Sequence, residues 1–156
     1  MKQRNVWTAF FAFAAMALPA GTPAGVEHWT GTQLQGYTKS LAPKMSAQKV
    51  ATQQFATWGN HLLMVAHREG NGEAELHQTQ ADVFIVQTGE GTLKVGGTVV
   101  NPKNTAPNEI RGPSLNGGEE RKIGPGDVVH IPAKIPHQVM VPNGKQITYA
   151  VVKVTE

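Results

Sequence analysis

An all-β domain, a sandwich or barrel of about ten short strands, is the fold class this sequence predicts. The composition points there first: 17 glycines and 10 prolines stand among 156 residues. Such a turn-rich profile suits many short strands and argues against a helical bundle or coiled coil. The pattern points there again, because from Lys49 onward apolar stretches of strand length alternate with turn residues. At 40% hydrophobic residues the chain is not composed like a disordered one. A length of 156 residues makes one ordinary domain with a real core.

Residues 1–24 stand apart from that domain. Lys2 and Arg4 precede an apolar run over 6–18, and small residues follow through Ala20 and Ala24. This is the order of a secretory signal, with cleavage after Ala20 or Ala24. The run is shorter than the about 20 apolar residues a membrane span wants, although an uncleaved anchor is the alternative. The expectation is an exported protein, periplasmic or secreted, with no stable membrane span after cleavage. Without Lys2 and Arg4 the chain keeps 12 basic and 11 acidic side chains, a net charge of +1 in place of +3. The remaining cations are scattered, with no stripe of the kind nucleic acid requires, so no nucleic-acid partner is expected. The absence of cysteine removes disulfides, thiolate metal sites and cysteine nucleophiles together.

Residues 25–48 form an N-terminal extension and 49–156 the barrel. Within the extension, Leu34, Tyr37 and Leu41 recur at helical spacing and Pro43 stops them, which predicts a short amphipathic helix over 32–41. Strands are predicted over 50–57, 62–68, 75–78, 83–87, 92–95, 98–100, 109–115, 127–131, 138–141 and 146–154. Gly96-Gly97 signals a tight hairpin between two of them, and Asn143-Gly144 a turn of the same kind. The stretch 101–118, rich in Asn, Pro and Gly, reads as a long loop or irregular excursion, placed as an added hairpin or lid.

Two segments concentrate the chemistry. In the first, Glu75 and His77 are two apart and therefore face the same side of a strand. Asp82 then opens the apolar strand Val83-Phe84-Ile85-Val86, which ends at Gly89. A carboxylate in that position needs compensation for its burial, and a metal ion would provide it. In the second, Gly126-Asp127 is a turn, a strand follows to Ile131, and the rigid corner Pro132–Pro136 delivers His137 to the next strand.

Together these segments resemble the paired signature motifs of the cupin superfamily. The first motif of that family runs His-x-His, three or four residues, Glu, six residues, Gly. Asp82 and Gly89 match its Glu and Gly, His77 its second histidine and Glu75 its first. Gly126, Pro132 and His137 match the second motif, with Lys134 at a family glycine and Val141 at a family asparagine. The resemblance implies a single cupin-type β-barrel, a double-stranded β-helix or jelly roll, with a short N-terminal helix. It also implies a divalent metal ion held by Glu75, His77, Asp82 and His137. Two imidazoles and two carboxylates suit Mn(II), Fe(II) or Zn(II), the oxygen-rich set tilting toward manganese or iron.

Each of these residues has a plainer role open to it. His77 and His137 could be hydrogen-bonded core histidines, and Glu75 could pair with Arg68 instead of an ion. Lys134 near the barrel mouth suits an anionic substrate or a solvated loop, and Arg111 could meet an acidic ligand. His130 shares a strand face with Val128, where a packing or surface role outweighs an inward one. His28, His61 and His67 have no partner at ligand spacing and read as structural. The leading functional expectation is a metal-dependent enzyme on a small molecule, of isomerase, lyase or dioxygenase type, with its catalytic residues open. A non-catalytic protein binding a sugar-like small ligand is the alternative, and a metal-free structural module the third. No Gly-x-Ser-x-Gly elbow, Walker loop or dinucleotide fingerprint is present. The family resemblance also suggests a homodimer formed by pairing of edge strands.

Overall fold

A computed structural model describes residues 23–156. The expected leader over 1–24 lies outside the described residues except for its last two. Among the described residues no helix is long and apolar enough to cross a membrane.

The predicted helix is α1 (Gly31–Leu41). Thr30 opens it with a capping box: its hydroxyl accepts from the Gln33 amide at 3.2 Å, and the Gln33 side-chain oxygen accepts from the Thr30 amide at 2.8 Å. Pro43 sits in the short 3-10 turn Ala42–Lys44 that ends it. Leu34, Tyr37 and Leu41 pack against Ala51, Leu63, Val65, Ile85 and Ala150 on the sheet beneath.

That sheet has five antiparallel strands, β1 (Val50–Trp58), β2 (His61–Arg68), β4 (Gln80–Gly89), β11 (Val128–Ile131) and β13 (Ile147–Thr155), in the order β1-β2-β13-β4-β11. Facing it are β3 (Ala74–His77), β5 (Gly91–Val95), β7 (Lys103–Ala106), β8 (Glu109–Gly112), β10 (Glu119–Ile123) and β12 (His137–Met140), in the order β10-β5-β12-β3-β8-β7. A small ladder joins β6 (Thr98–Val99) to β9 (Leu115–Asn116). The two sheets enclose the interior of a jelly roll.

Strand alternation divides the five-stranded sheet into two faces. Met64, Ala66, Phe84, Val86, Tyr149 and Val151 point inward and join Leu93, Ile123, Val139, Val141 and Ile147 in the main core. Val65 and Ala150 point outward beneath α1. There His67, 1% exposed, bonds the Thr148 hydroxyl at 2.8 Å and Glu69 at 3.2 Å, the structural role expected of it. Thr38 of α1 bonds the same Thr148 at 2.8 Å, so the helix is tied to the sheet by polar as well as apolar contacts.

Three expectations are corrected. Gly96-Gly97 is not a hairpin turn: β5 pairs with β10 and β12, and β6 with β9. Both glycines have positive φ, and a Cβ on Gly97 would lie 2.4 Å from the Asn116 carbonyl oxygen, so the pair lets the chain change sheets where it crosses Gly117-Gly118. Asn143-Gly144 is likewise a turn between sheets, linking β12 to β13. The stretch 101–118 is not a long loop, although the added hairpin expected there is present as β7 and β8. It carries β7, β8 and β9, and the strand expected over 109–115 breaks at Pro113-Ser114. The sequence pattern also misses β10, whose Glu-Glu-Arg-Lys run is exposed throughout and so has no alternation to detect. That run lies on an edge strand, where charge discourages further pairing.

Candidate metal centre

The site forms where β3, β4, β12 and β13 present inward side chains at one end of the interior. On β3 the alternation turns Glu75 and His77 inward together. Gly89 closes the strand carrying Asp82, with φ +74 and a virtual Cβ 2.0 Å from the Gln146 carbonyl oxygen, so no other residue fits that corner. The Pro132–Pro136 corner is held by the Lys134 amide, which donates to the His77 carbonyl oxygen at 2.7 Å. Lys134 adopts φ +66, which explains why a glycine suits that position in the resembling motif, and its side chain is exposed. The corner brings His137 opposite Glu75 across the β12–β3 pairing.

The ligating atoms of Glu75, His77 and His137 all lie within 4.8 Å of one another. Both imidazoles are buried, with 4% of His77 and 3% of His137 exposed. Each is held by Nδ1, which leaves Nε2 facing the site. His77 Nδ1 donates to Glu109, and His137 Nδ1 donates to the Ile135 carbonyl oxygen at 3.2 Å. His137 Nε2 is buried and has no hydrogen-bond partner among the described residues. An orphaned inward lone pair on an oriented imidazole is what a metal ligand looks like before its ion arrives. The residues present therefore fit a divalent ion.

Asp82 stands beside this trio. Its Oδ2 lies 3.3 Å from His77 Nε2 and 3.6 Å from His137 Nε2, while both its oxygens accept from the Lys153 ammonium, at 2.8 and 2.9 Å. The same ammonium is 2.9 Å from His77 Nε2. Glu75 is engaged on its other flank by Arg68, 3.2 Å away, as the sequence allowed, and by Arg111, 3.1 Å away. Arg111 also pairs with Glu109 at 2.7 Å. Three carboxylates thus face three permanent cations at the end of a barrel.

These contacts set the protonation states. Burial disfavours the Asp82 carboxylate, but the neighbouring His137 and His77 imidazoles and the Lys153 ammonium outweigh that and hold its pKa well below the usual carboxylate range. Burial likewise disfavours a charged His77, yet Asp82 and Glu109 overcome it and push the His77 pKa up to about 9. A cationic His77 turns its Nε2 proton to Asp82, and a neutral one accepts from Lys153. In either state the Nε2 lone pair of the ion-free site is taken.

Sequence reasoning missed Lys153 and Glu109. Glu109 was readable in principle: Glu109 and Arg111 are two apart on a short strand, and the register sets them opposite His77 and Glu75. Lys153 lies opposite Asp82 across β13 and β4, a pairing that needs the strand order to be known. His130 is exposed on the outer side of β11, in line with a surface role. A cavity of about 480 Å³ leads into the site past the exposed Gln48, Thr52 and Gln54. A larger, more open groove of about 680 Å³ at the other end is lined by Glu90, Lys122 and Lys145, and the metal-ligand trio lies outside it.

Solved structures share this fold, although no curated protein matches the chain. TT1209 from Thermus thermophilus is similar at TM-score 0.54 and 20% identity, over 75% of this chain and 92% of that one. The cupin-2 domain protein Rru_A2000 from Rhodospirillum rubrum is similar at TM-score 0.52 and 18% identity, over 70% of this chain and 62% of that one. The polyketide cyclase RemF from Streptomyces resistomycificus is similar at TM-score 0.51 and 16% identity, over 72% and 69%. Identities this low speak for fold alone. The JmjC domain family model matches residues 39–155, and the chain belongs to that family, within the cupin superfamily.

Proposed function

We propose that this protein is a metal-dependent enzyme acting on a small molecule, with one divalent ion held by Glu75, His77 and His137. The observation that carries the reading is the buried, unpartnered Nε2 of His137 converging with His77 and Glu75. Two imidazoles and one carboxylate form the donor set favoured by Fe(II), with Mn(II) and Zn(II) also served by it. An ion so bound would supply Lewis-acid polarisation or a position for dioxygen.

The chain's own residues do the rest. Glu109 and the Ile135 carbonyl fix the two imidazole tautomers, and Arg68 and Arg111 fix Glu75. Phe84, Val151 and Tyr149 give one wall of the cavity apolar surface. A cavity of about 480 Å³ suits a small substrate. The likeness in fold to the cyclase RemF supports small-molecule chemistry without selecting a reaction. The basic-then-apolar start of the chain supports export to the periplasm or the medium, and the edges β1, β7 and β11, unlike the charged β10, leave a homodimer open.

One observation favours a second reading. Arg68, Arg111 and Lys153 balance Glu75, Asp82 and Glu109 with no ion present, which also suits a metal-free barrel that binds a small ligand. Elemental analysis separates the two. About one equivalent of Mn, Fe or Zn in the chelator-free protein, and none in His77→Ala with His137→Ala, is the expected result. A folded protein that takes up no metal after reloading would overturn the enzyme reading in favour of the binding protein.

A further inference from the structure

The Lys153 side chain is 16% exposed and is seated in the metal-ligand cluster. It reaches that place from β13, whose alternation points Tyr149, Val151 and Lys153 inward, and whose register sets Lys153 opposite Asp82. Its Nζ lies 2.8 and 2.9 Å from the Asp82 oxygens and 2.9 Å from His77 Nε2. An imidazole nitrogen has one lone pair in the plane of the ring. An ion on His77 Nε2 would sit about 2.0–2.1 Å out along it, inside the space the ammonium holds. Two cations cannot share that position.

We infer that Lys153 is a built-in competitor for the metal: its ammonium holds the ion's place on His77 and Asp82, and an ion enters as Lys153 swings away. This rests on the metal reading above. The three cations of the site differ in what they can do. Arg68 is pinned by Tyr149 at 2.9 Å as well as by Glu75, and Arg111 spans Glu75 and Glu109 as a fork. Lys153 is a point charge on a flexible four-carbon stem, the cation able to leave without dismantling a bidentate contact. Its departure frees both Asp82 oxygens, so Asp82 becomes the fourth ligand and the set of Glu75, His77, Asp82 and His137 is completed. The buried Asp82 carboxylate keeps a partner without the ion, and metal affinity is held below what the ligands alone would give.

The test is a Mn(II) titration of the metal-free full chain, read by loss of the free-ion EPR signal. Parent, Lys153→Met, Asp82→Asn, the double variant Asp82→Asn with Lys153→Met, and His77→Ala with His137→Ala are compared. Lys153→Met is expected to bind Mn(II) about tenfold or more tighter than the parent, the scale on which groups around metal ligands move affinity. The double variant is expected to bind tighter than Asp82→Asn. It removes both members of the ion pair, so it carries the comparison if the single variant, with Asp82 left unpaired, does not fold. Equal or weaker binding without Lys153, in a protein that binds one ion through its histidines, overturns the inference and leaves the metal site standing. Absence of Mn(II) binding in every variant overturns the metal site and the inference with it.

Discussion

Along β4, β12 and β13 the inward side chains change character within a few positions. Asp82 gives way to Phe84 and Val86, His137 to Val139 and Val141, and Lys153 to Val151, Tyr149 and Ile147. One end of the interior is closed by Leu93, Ile123 and Ile147, each 5% exposed or less. The other holds three carboxylates, three cations and two imidazoles, graded from the Asp82 side chain at 2% exposure to that of Arg111 at 33%. Phe84 and Tyr149, with ring centroids 4.8 Å apart, form the boundary, and Tyr149 hands its hydroxyl to Arg68 across it. The same strands supply both ends, so backbone pairing does not distinguish them. Apolar burial stabilises the first end in proportion to area. The second carries a desolvation cost that ion pairing offsets at best, and hydrophobic replacements of such clusters are often neutral or stabilising.

Substitution can break that contrast from either side. Leu93→Ala should cost about 2–5 kcal/mol of stability by leaving a cavity in the apolar end. Metal bound per folded molecule should stay unchanged, as denaturant titration and elemental analysis would show. Glu109→Gln should do the reverse. By loosening the His77 orientation it should weaken metal affinity about 10–100-fold while leaving the midpoint of thermal unfolding nearly in place.

How much of this was legible depends on which residues share a strand. Gly89, the Pro132–Pro136 corner and the i, i+2 pair Glu75 and His77 are local features, and through the motif resemblance they carry, the jelly roll and the clustering of Glu75, His77 and His137 could be read. Lys153 could not be, because its meaning comes from facing Asp82 at 71 residues' separation. A valine-rich terminal strand with one lysine looks like any strand with a solvated face. Glu109 was hidden for another reason: β8 is four residues long and lies in a stretch whose Asn, Pro and Gly content reads as loop. The expected leader and the expected dimer concern segments or surfaces that the interior contacts do not address.

pH sharpens the contrast further. With the His77 pKa raised from 6.5 to about 9, its charge stabilises the metal-free fold fully below about 6.5, and that contribution is lost as pH rises through about 9. The stability difference between parent and His77→Gln, both metal-free, should therefore shrink over that window when followed by urea unfolding. The smallest effect is expected at the outer edge of the sheet. Val128 is 66% exposed on β11, and Val128→Lys should change stability by no more than about 0.5 kcal/mol and metal affinity not at all.

X-ray absorption at the manganese edge of the Mn(II)-loaded full chain would examine the charged end itself. The expected spectrum shows two imidazole rings with carboxylate oxygen in the first coordination sphere, and the imidazole scattering disappears in His77→Ala with His137→Ala. A sphere of oxygen atoms alone, unchanged in that variant, would mean that the ion sits elsewhere and that the buried histidines serve the fold.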